Sequence, residues 1–310
     1  MKVLVTGGLG FIGSNLSAKL VEDGHEVKII DNLLLGRHEN VEKIKENITV
    51  IEGDVNRRED LDKVGPVDII FHLAASSSAP MFEKDLKAAY HNNIIGHVSV
   101  LEWAKKVGAK KVIYASTSSI YGNNPTPLKE SDEVVPPNYY SITKFAQEHT
   151  SHVFSRVHGL EIIGFRFMSV YGPNEKTKGQ FANLVSQFIW DMVKGKRPIL
   201  YGDGTQRRDF TYVGDIVQAL VLAMNTEKRF GSDVFNIGTN KDYSLLEMVE
   251  IINKANGTNI EAELIPNPVK EGYVMTQLAS LDKVSAELGY KPTVSLEEGI
   301  QTLVDMEKGN

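Results

Sequence analysis

Apolar and β-branched residues gather into short continuous runs at 2–6, 26–31, 48–53, 67–74, 110–116 and 161–167. Runs without polar alternation predict strands buried on both faces. Segments with helical periodicity lie between most of them, so the pattern predicts a parallel sheet covered by helices on both sides. Two long helices are expected, over about 83–107 and 139–158, ending at Gly108 and Gly159. Glycine there suits the left-handed residue that closes a helix. Past residue 168 the pattern changes. Loops carry Gly and Pro, as in Tyr171-Gly172-Pro173 and Tyr201-Gly202-Asp203-Gly204, and helices near 181–194, 214–226 and 244–255 alternate with short strands. This predicts two parts, 1–168 and a smaller lobe over 169–310, interleaved rather than joined by a linker. A cleft between two such parts is a common small-molecule site.

Composition narrows the function. The 310 residues are 42% hydrophobic with well-mixed charge, a globular composition with enough chain for a large core. The net charge is −6. With no basic stripe, nucleic acid is not an expected partner, and an anionic ligand must be held by local groups. The chain has no cysteine, which excludes disulfides, thiolate catalysis and cysteine-ligated metals. Its eight histidines show no metal-ligand spacing, so no metal is expected. No stretch approaches the roughly 18 apolar residues of a membrane span. The first strand begins at Met1-Lys2-Val3 with no preceding signal peptide, and a cytoplasmic enzyme with no membrane partner is expected.

Directly after the first run comes Thr6-Gly7-Gly8-Leu9-Gly10-Phe11-Ile12-Gly13. Strand, glycine turn and helix in this order form a pyrophosphate cradle. The first glycines permit the tight turn, Gly10 admits backbone N–H groups to the phosphates, and Gly13 lets helix and strand pack closely. The following run ends in Asp31, 18 residues past Gly13, where a carboxylate accepts hydrogen bonds from the adenosine ribose. Asp31 favours NAD over NADP, because it repels a 2′-phosphate. Arg37 is close enough in sequence to leave that choice open. The fold class expected is therefore α/β, a Rossmann-type doubly wound parallel sheet with a smaller C-terminal α/β substrate lobe.

The second long helix opens on Tyr139-Tyr140-Ser141-Ile142-Thr143-Lys144. Tyr140 and Lys144 are four apart and share a helical face. An ammonium beside a phenol lowers its pKa and makes it usable as a base. Upstream, the run 110–116 leads into Ser116-Thr117-Ser118-Ser119-Ile120-Tyr121-Gly122, hydroxyls at the carboxyl end of a parallel strand, where such sheets bind ligands.

With Asp31-Asn32-Leu33, Gly53-Asp54-Val55, His72-Leu73-Ala74-Ala75 and Asn93-Ile94-Ile95-Gly96, these motifs resemble, in order and spacing, the extended short-chain dehydrogenase/reductase family. Within it they resemble most the nucleotide-sugar epimerases and dehydratases, especially the UDP-glucose (UDP-galactose) 4-epimerases. The resemblance implies NAD as cofactor. Gly7, Gly10, Phe11, Ile12 and Gly13 would hold its pyrophosphate, Asp31 and Asn32 the adenosine ribose, and Asp54 and Val55 would flank the adenine. Leu73, Ala74 and Ala75, with Met168, would line the nicotinamide half, and Asn93 would support it. Tyr140 would be the catalytic base, Lys144 would bind the nicotinamide ribose and tune Tyr140, and Thr117 would hydrogen-bond the sugar hydroxyl being oxidised. Ser169, Asn183, Leu184, Arg208 and Lys270 would contact the sugar nucleotide, with Arg208 on its diphosphate. The two long helices resemble those that pair such proteins into homodimers.

Other residues read more plainly. His72 is expected to pack, Tyr121 to pack or line the site, Asp209 to orient backbone, and Arg207 to face solvent or pair. Asp54 could cap the following helix instead. Four departures limit the carry-over. Ser169 and Met168 replace the family's usual asparagine and phenylalanine, Lys270 stands where an arginine is frequent, and Ser76-Ser77 replace bulkier or cationic residues. Ser118-Ser119 stand where 4,6-dehydratases carry an acidic pair, so dehydration is disfavoured. The expected function is an NAD-dependent 4-epimerase of nucleotide sugars, UDP-glucose/UDP-galactose first. Epimerases of UDP-N-acetylhexosamines, uronic acids or other sugar nucleotides are the alternatives, and a non-catalytic dinucleotide sensor is a further one.

Overall fold

The computed structural model describes residues 1–268 and 273–309. The first half comprises β1 (Lys2–Thr6), α1 (Phe11–Glu22), β2 (Glu26–Asp31), β3 (Ile48–Glu52), α2 (Arg58–Asp62), β4 (Ile69–His72), α3 (Ala79–Lys84), α4 (Leu86–Tyr90), α5 (Gly96–Val107), β5 (Lys111–Ala115), α6 (Tyr139–His158) and β6 (Glu161–Phe167). The second half adds β7 (Ser169–Tyr171), α7 (Leu184–Met192), β8 (Ile199–Tyr201), β9 (Arg207–Arg208), β10 (Phe210–Tyr212), α8 (Val213–Asn225), β11 (Ser232–Ile237), β12 (Tyr243–Ser244), α9 (Leu245–Asn256), β13 (Glu263–Ile265), α10 (Asp282–Leu288) and α11 (Leu296–Gly309).

Seven strands form one parallel sheet in the order β11-β6-β5-β4-β1-β2-β3. All six apolar runs are in it, each trimmed by no more than a few residues. The seventh strand, β11, comes from the second half. Successive residues of each strand feed opposite cores. Val3, Val5, Ile29 and Phe71 face α1 and α8, while Leu4, Ile30, Ile70 and Val112 face α5. A third core, with Phe188, Ile189, Phe210, Met248 and Ile300, lies among α7, α9 and α11.

The expected helix 83–107 is not one rod. It starts early, at Ala79 beside Pro80, and breaks at Asp85, whose extended backbone (φ −153°, ψ 92°) and side chain cap the next segment by accepting from Ala88 N–H. It then runs to Val107 through a π turn at His91–Ile95. The helix at Tyr139–His158 stands as expected. Asn138 and Ser141 cap its start reciprocally, and Gly159 (φ 70°) closes it. Among the described residues no helix is long and apolar enough to cross a membrane.

Candidate active site

From β1 the chain builds outward through β2 and β3, then returns to the other side of β1 with β4, β5 and β6. The carboxyl ends of β1 and β4 therefore open a crevice. A cavity of about 560 Å³ lies there. On one side it is lined by the glycine turn, and on the other by Met168, Ser169, Asn183 and Arg208.

The turn is held by backbone. Gly7 adopts φ 67° and its N–H bonds Ile30 O at 2.8 Å. A Cβ on Gly7 would lie 2.8 Å from Ala74 N, and one on Gly13 only 2.3 Å from Gly7 O. Thr6 Oγ1 accepts from the Leu73 and Ala74 N–H groups and pairs with His72 Nδ1 at 2.9 Å, tying β1 to the segment after β4. The N-cap of α1 is Gly10, so no side chain caps the helix and its first N–H groups face the cavity. A diphosphate fits this cradle, which any larger residue would fill.

Asp31 accepts from the Leu9 and Leu33 N–H groups, at 3.0 and 2.9 Å. Burial raises its pKa, and these hydrogen bonds offset part of that. Lone pairs remain on both oxygens for ribose hydroxyls. Arg37, which left the cofactor choice open, is exposed and donates to the Leu33 and Gly36 carbonyls, outside the cavity lining. Asn32 and Val55 line this end.

At the other end, three strand spacings or about 14 Å across the sheet, Thr117 and Tyr140 share a hydrogen bond. Thr117 Oγ1 accepts from Ser119 N–H, which leaves its proton free to point at the phenol oxygen. Lys144 is buried one turn below. Its ammonium donates to Ala115 O at 2.8 Å and Gln147 Oε1 at 3.2 Å. Burial pulls it down to about 7, with the Glu148 carboxylate partly restoring it. Glu148 is itself gripped by the Arg166 fork at 3.0 and 2.7 Å and by Ser116 Oγ.

The expected depression of the Tyr140 pKa needs correction. Burial holds the phenol above its ordinary value, and the hydrogen bond to Thr117 offsets part of that. The reason is geometric: Lys144 spends its donors on Ala115 and Gln147 rather than on the phenol.

The other predicted residues divide clearly. Gly7, Gly10, Phe11, Ile12, Gly13, Leu73, Ala74 and Ala75 line the cavity with Thr117, Tyr140, Lys144, Met168, Ser169, Asn183 and Arg208. Asp54 does not. Its carboxylate accepts from both nitrogens of Asn56, stabilising the turn before α2 rather than flanking a ligand, and Arg57 is the N-cap of that helix. Leu184 does not either, because it is the exposed first residue of α7. Asn93 is wholly buried behind the wall. It bonds both backbone groups of Ser76 and donates to Thr143 Oγ1 at 2.9 Å, so its contact with a ligand is at most indirect. Lys270 lies outside the described residues. Asn92, Lys178 and Gln277 line the cavity without having been anticipated. Asn92 reaches Ser76 Oγ from the π turn, and its pairing with Asn93 was the available signal.

His72 is buried and pushed down to about 3 by burial and then by Lys144, a neutral packed imidazole. Tyr121 donates to Asn236 and accepts from Arg166, so it packs. Asp209 is buried, raised to about 6, and organises the backbone of Thr239, Asn240 and Ala279. Arg207 pairs with Asp242 and Glu247. Arg208, by contrast, donates only to the carbonyls of Arg207, Val274 and Met275, with no carboxylate partner among the described residues. Burial lowers its pKa. A cation neutralised by nothing charged, on a cavity wall, is suited to an anionic ligand.

The profile of the NAD dependent epimerase/dehydratase family matches residues 3–238. The chain belongs to that family. Its relatives include a putative UDP-glucose 4-epimerase of Methanocaldococcus jannaschii, 34% identical over 99% of both chains. The structure is similar to that of a UDP-glucose 4-epimerase with UDP-glucose from Thermotoga maritima, with TM-score 0.93, 33% identity and 100% and 99% of the two chains covered. It is equally similar to a UDP-N-acetylglucosamine 4-epimerase from Methanobrevibacter ruminantium in complex with UDP-N-acetylmuramic acid, with TM-score 0.93, 32% identity and 99% and 98% covered. As a family member the protein uses NAD, and the geometry of the glycine turn and Asp31 fits that cofactor.

Proposed function

We propose that the protein is a 4-epimerase of UDP-hexoses, interconverting UDP-glucose and UDP-galactose. One observation carries the reading. Thr117, Tyr140 and Lys144 converge on the cavity, and the only carboxylate among its described lining residues is Asp31, at the distant adenosine end. Elimination of water calls for a further acid–base pair beside the sugar, whereas epimerisation needs only the one base and a hydride shuttle.

When bound on the glycine turn, NAD would supply the hydride chemistry, an acceptor and then a donor for sugar C4. Tyr140 takes the proton of the C4 hydroxyl and later gives it back. Thr117 orients that hydroxyl. Lys144, positively charged below about pH 7 before a ligand binds, holds positive charge under the phenol. The 4-keto sugar must turn over between the two transfers, so recognition has to fall on the nucleotide. Arg208 and Asn183 would grip the diphosphate while small side chains such as Ser77, Ser118 and Ser119 leave the sugar room.

The test is turnover of UDP-glucose to UDP-galactose by the purified protein. No interconversion, with NAD bound, would defeat this substrate assignment. The similarity to an enzyme named for UDP-N-acetylglucosamine supports a second reading, an N-acetylhexosamine substrate, and the same assay with that substrate decides between them.

Ile142, Val153 and Val157 on α6, and Leu86 and Ile95 around α4 and α5, expose apolar side chains at 40–67%. We propose that this face covers itself against a second copy. Light scattering should then report twice the 34.4 kDa chain. A monomer would refute it.

A further inference from the structure

Between β7 and α7 the chain crosses the mouth of the cavity at the end of α1. The root of this crossing is tied down. Asn15 Nδ2 donates to Pro173 O at 3.0 Å, and Asn174 Nδ2 donates to Ser14 Oγ at 3.1 Å. The crossing therefore keeps its place above the N-terminal turn of α1. Glu175 follows, buried, accepting from Asn183 N–H at 2.8 Å and Ser186 Oγ at 2.6 Å. Lys178 then turns back. Its ammonium sits 3.1 Å from Glu175 Oε1 and 5.5 Å from the centre of the Phe11 ring, and its side chain is only 17% exposed. Phe11 is the first residue of α1, so the ammonium stands beside the helix end whose N–H groups await a diphosphate.

We propose that Lys178 is a cofactor clamp, paired with Glu175 and transferring to the diphosphate of the dinucleotide once it lies on the glycine turn. The proposal rests on the reading of this cavity as the NAD site. Two features make the transfer easy. Glu175 keeps two hydrogen bonds when the ammonium leaves, so its buried carboxylate is not stranded. Lys178 carries a point charge on a flexible stem, able to swing between oxygens without a fixed fork geometry. Glu175 also holds the backbone of Asn183, which lines the opposite wall.

Calorimetric titration of the full chain, freed of co-purified nucleotide, with NAD and separately with UDP tests this. Lys178→Gln should weaken NAD binding about tenfold, the size of one charge-assisted hydrogen bond, and flatten its dependence on NaCl. Lys178→Arg should stay within about threefold of wild type. Glu175→Gln, which frees the clamp from its competitor, should tighten NAD binding about two- to fivefold. UDP affinity should hold in both lysine variants. NAD affinity in Lys178→Gln equal to wild type would overturn the clamp, as would equal weakening by Lys178→Gln and Glu175→Gln, the mark of a merely structural pair. Loss of UDP affinity with NAD unchanged would move Lys178 to the sugar nucleotide's diphosphate and overturn the assignment. A wild-type chain that binds UDP but no NAD would defeat the reading of the cavity, and the clamp with it.

Discussion

Backbone N–H groups on a turn wedged between parallel strands line one side of the cavity, whereas a guanidinium from a two-residue strand lines the other. On the first side the polar side chains serve one another: Thr6 bonds His72, and Asn93 bonds Ser76 and Thr143. On the second side Arg208 donates to carbonyls and lies over the Tyr273 ring, with no carboxylate partner among the described residues. A backbone cradle is rigid before its ligand arrives and depends little on which residues flank it. A side-chain wall is adjustable and depends on single residues. The comparison teaches where variation can be tolerated. One cofactor can be kept on the rigid side while the adjustable side is altered for different sugar nucleotides.

The sharpest break in that comparison is at the chemistry between the two sides. Tyr140→Phe should lower kcat about 10³-fold, within the range for removing a general base, while NAD affinity and Tm stay near wild type. Turnover within tenfold of wild type would strip Tyr140 of its role. On the rigid side, Gly13→Ala puts a methyl into the Gly7 carbonyl, which is backbone and cannot step aside. NAD binding should fall about a hundredfold, as expected for a displacement near 1 Å, and Tm by several degrees on heating with dye. A variant that binds NAD normally would show the cradle to be less rigid than its contacts imply. On the adjustable side, Arg208→Met should raise KM for the sugar nucleotide about thirtyfold with NAD affinity unchanged. A fall in NAD affinity instead would erase the division between the two sides.

The smallest effect expected is in acid. His72 titrates near 3 in the fold, and His97 is also well depressed by burial, against 6.5 unfolded. Between those values the unfolded chain binds protons the folded chain refuses, so stability is lost as pH falls below 6.5. Asp209, raised to about 6 from 3.8, acts in the opposite sense: its contribution is lost as pH rises from about 4 to 6. Thermal unfolding at pH 7 and 5 should therefore show a Tm loss in wild type that shrinks in His72→Gln. An equal loss in both would remove His72 as a source.

The sheet was legible because five largely buried strands and the partly exposed edge strand β3 leave apolar runs, and because a glycine turn at the end of the first admits few other geometries. The long helix at 139–158 was legible through its terminal Gly159. What stayed hidden depended on contacts between distant segments. Periodicity across 83–107 is continuous, and only the local pull of Pro80 and Asp85 breaks the helix. Spacing put Lys144 beside Tyr140, but its donors go to Ala115, which lies 29 residues upstream, and to Gln147. Asp54 and Leu184 carry no pattern that distinguishes a turn or an exposed helix start from a binding wall. Lys178 lies in a short polar 3-10 segment, Lys176–Phe181, too brief to show periodicity, and its place at the cavity follows from how Asn15 and Asn174 moor the chain before it.

The late arrival of β11 bears on how the chain is made. Phe235 and its neighbours pair along the whole of β6, yet they are synthesised some 70 residues after it. Until then β6 offers a bare, apolar edge carrying Phe165 and Phe167, a template for pairing with another nascent chain. A fragment cut after residue 168 would keep that edge permanently and should precipitate rather than fold. Residues 1–168 thus cannot mature alone, and the ribosome must deliver about half of 169–310 before their sheet is safe.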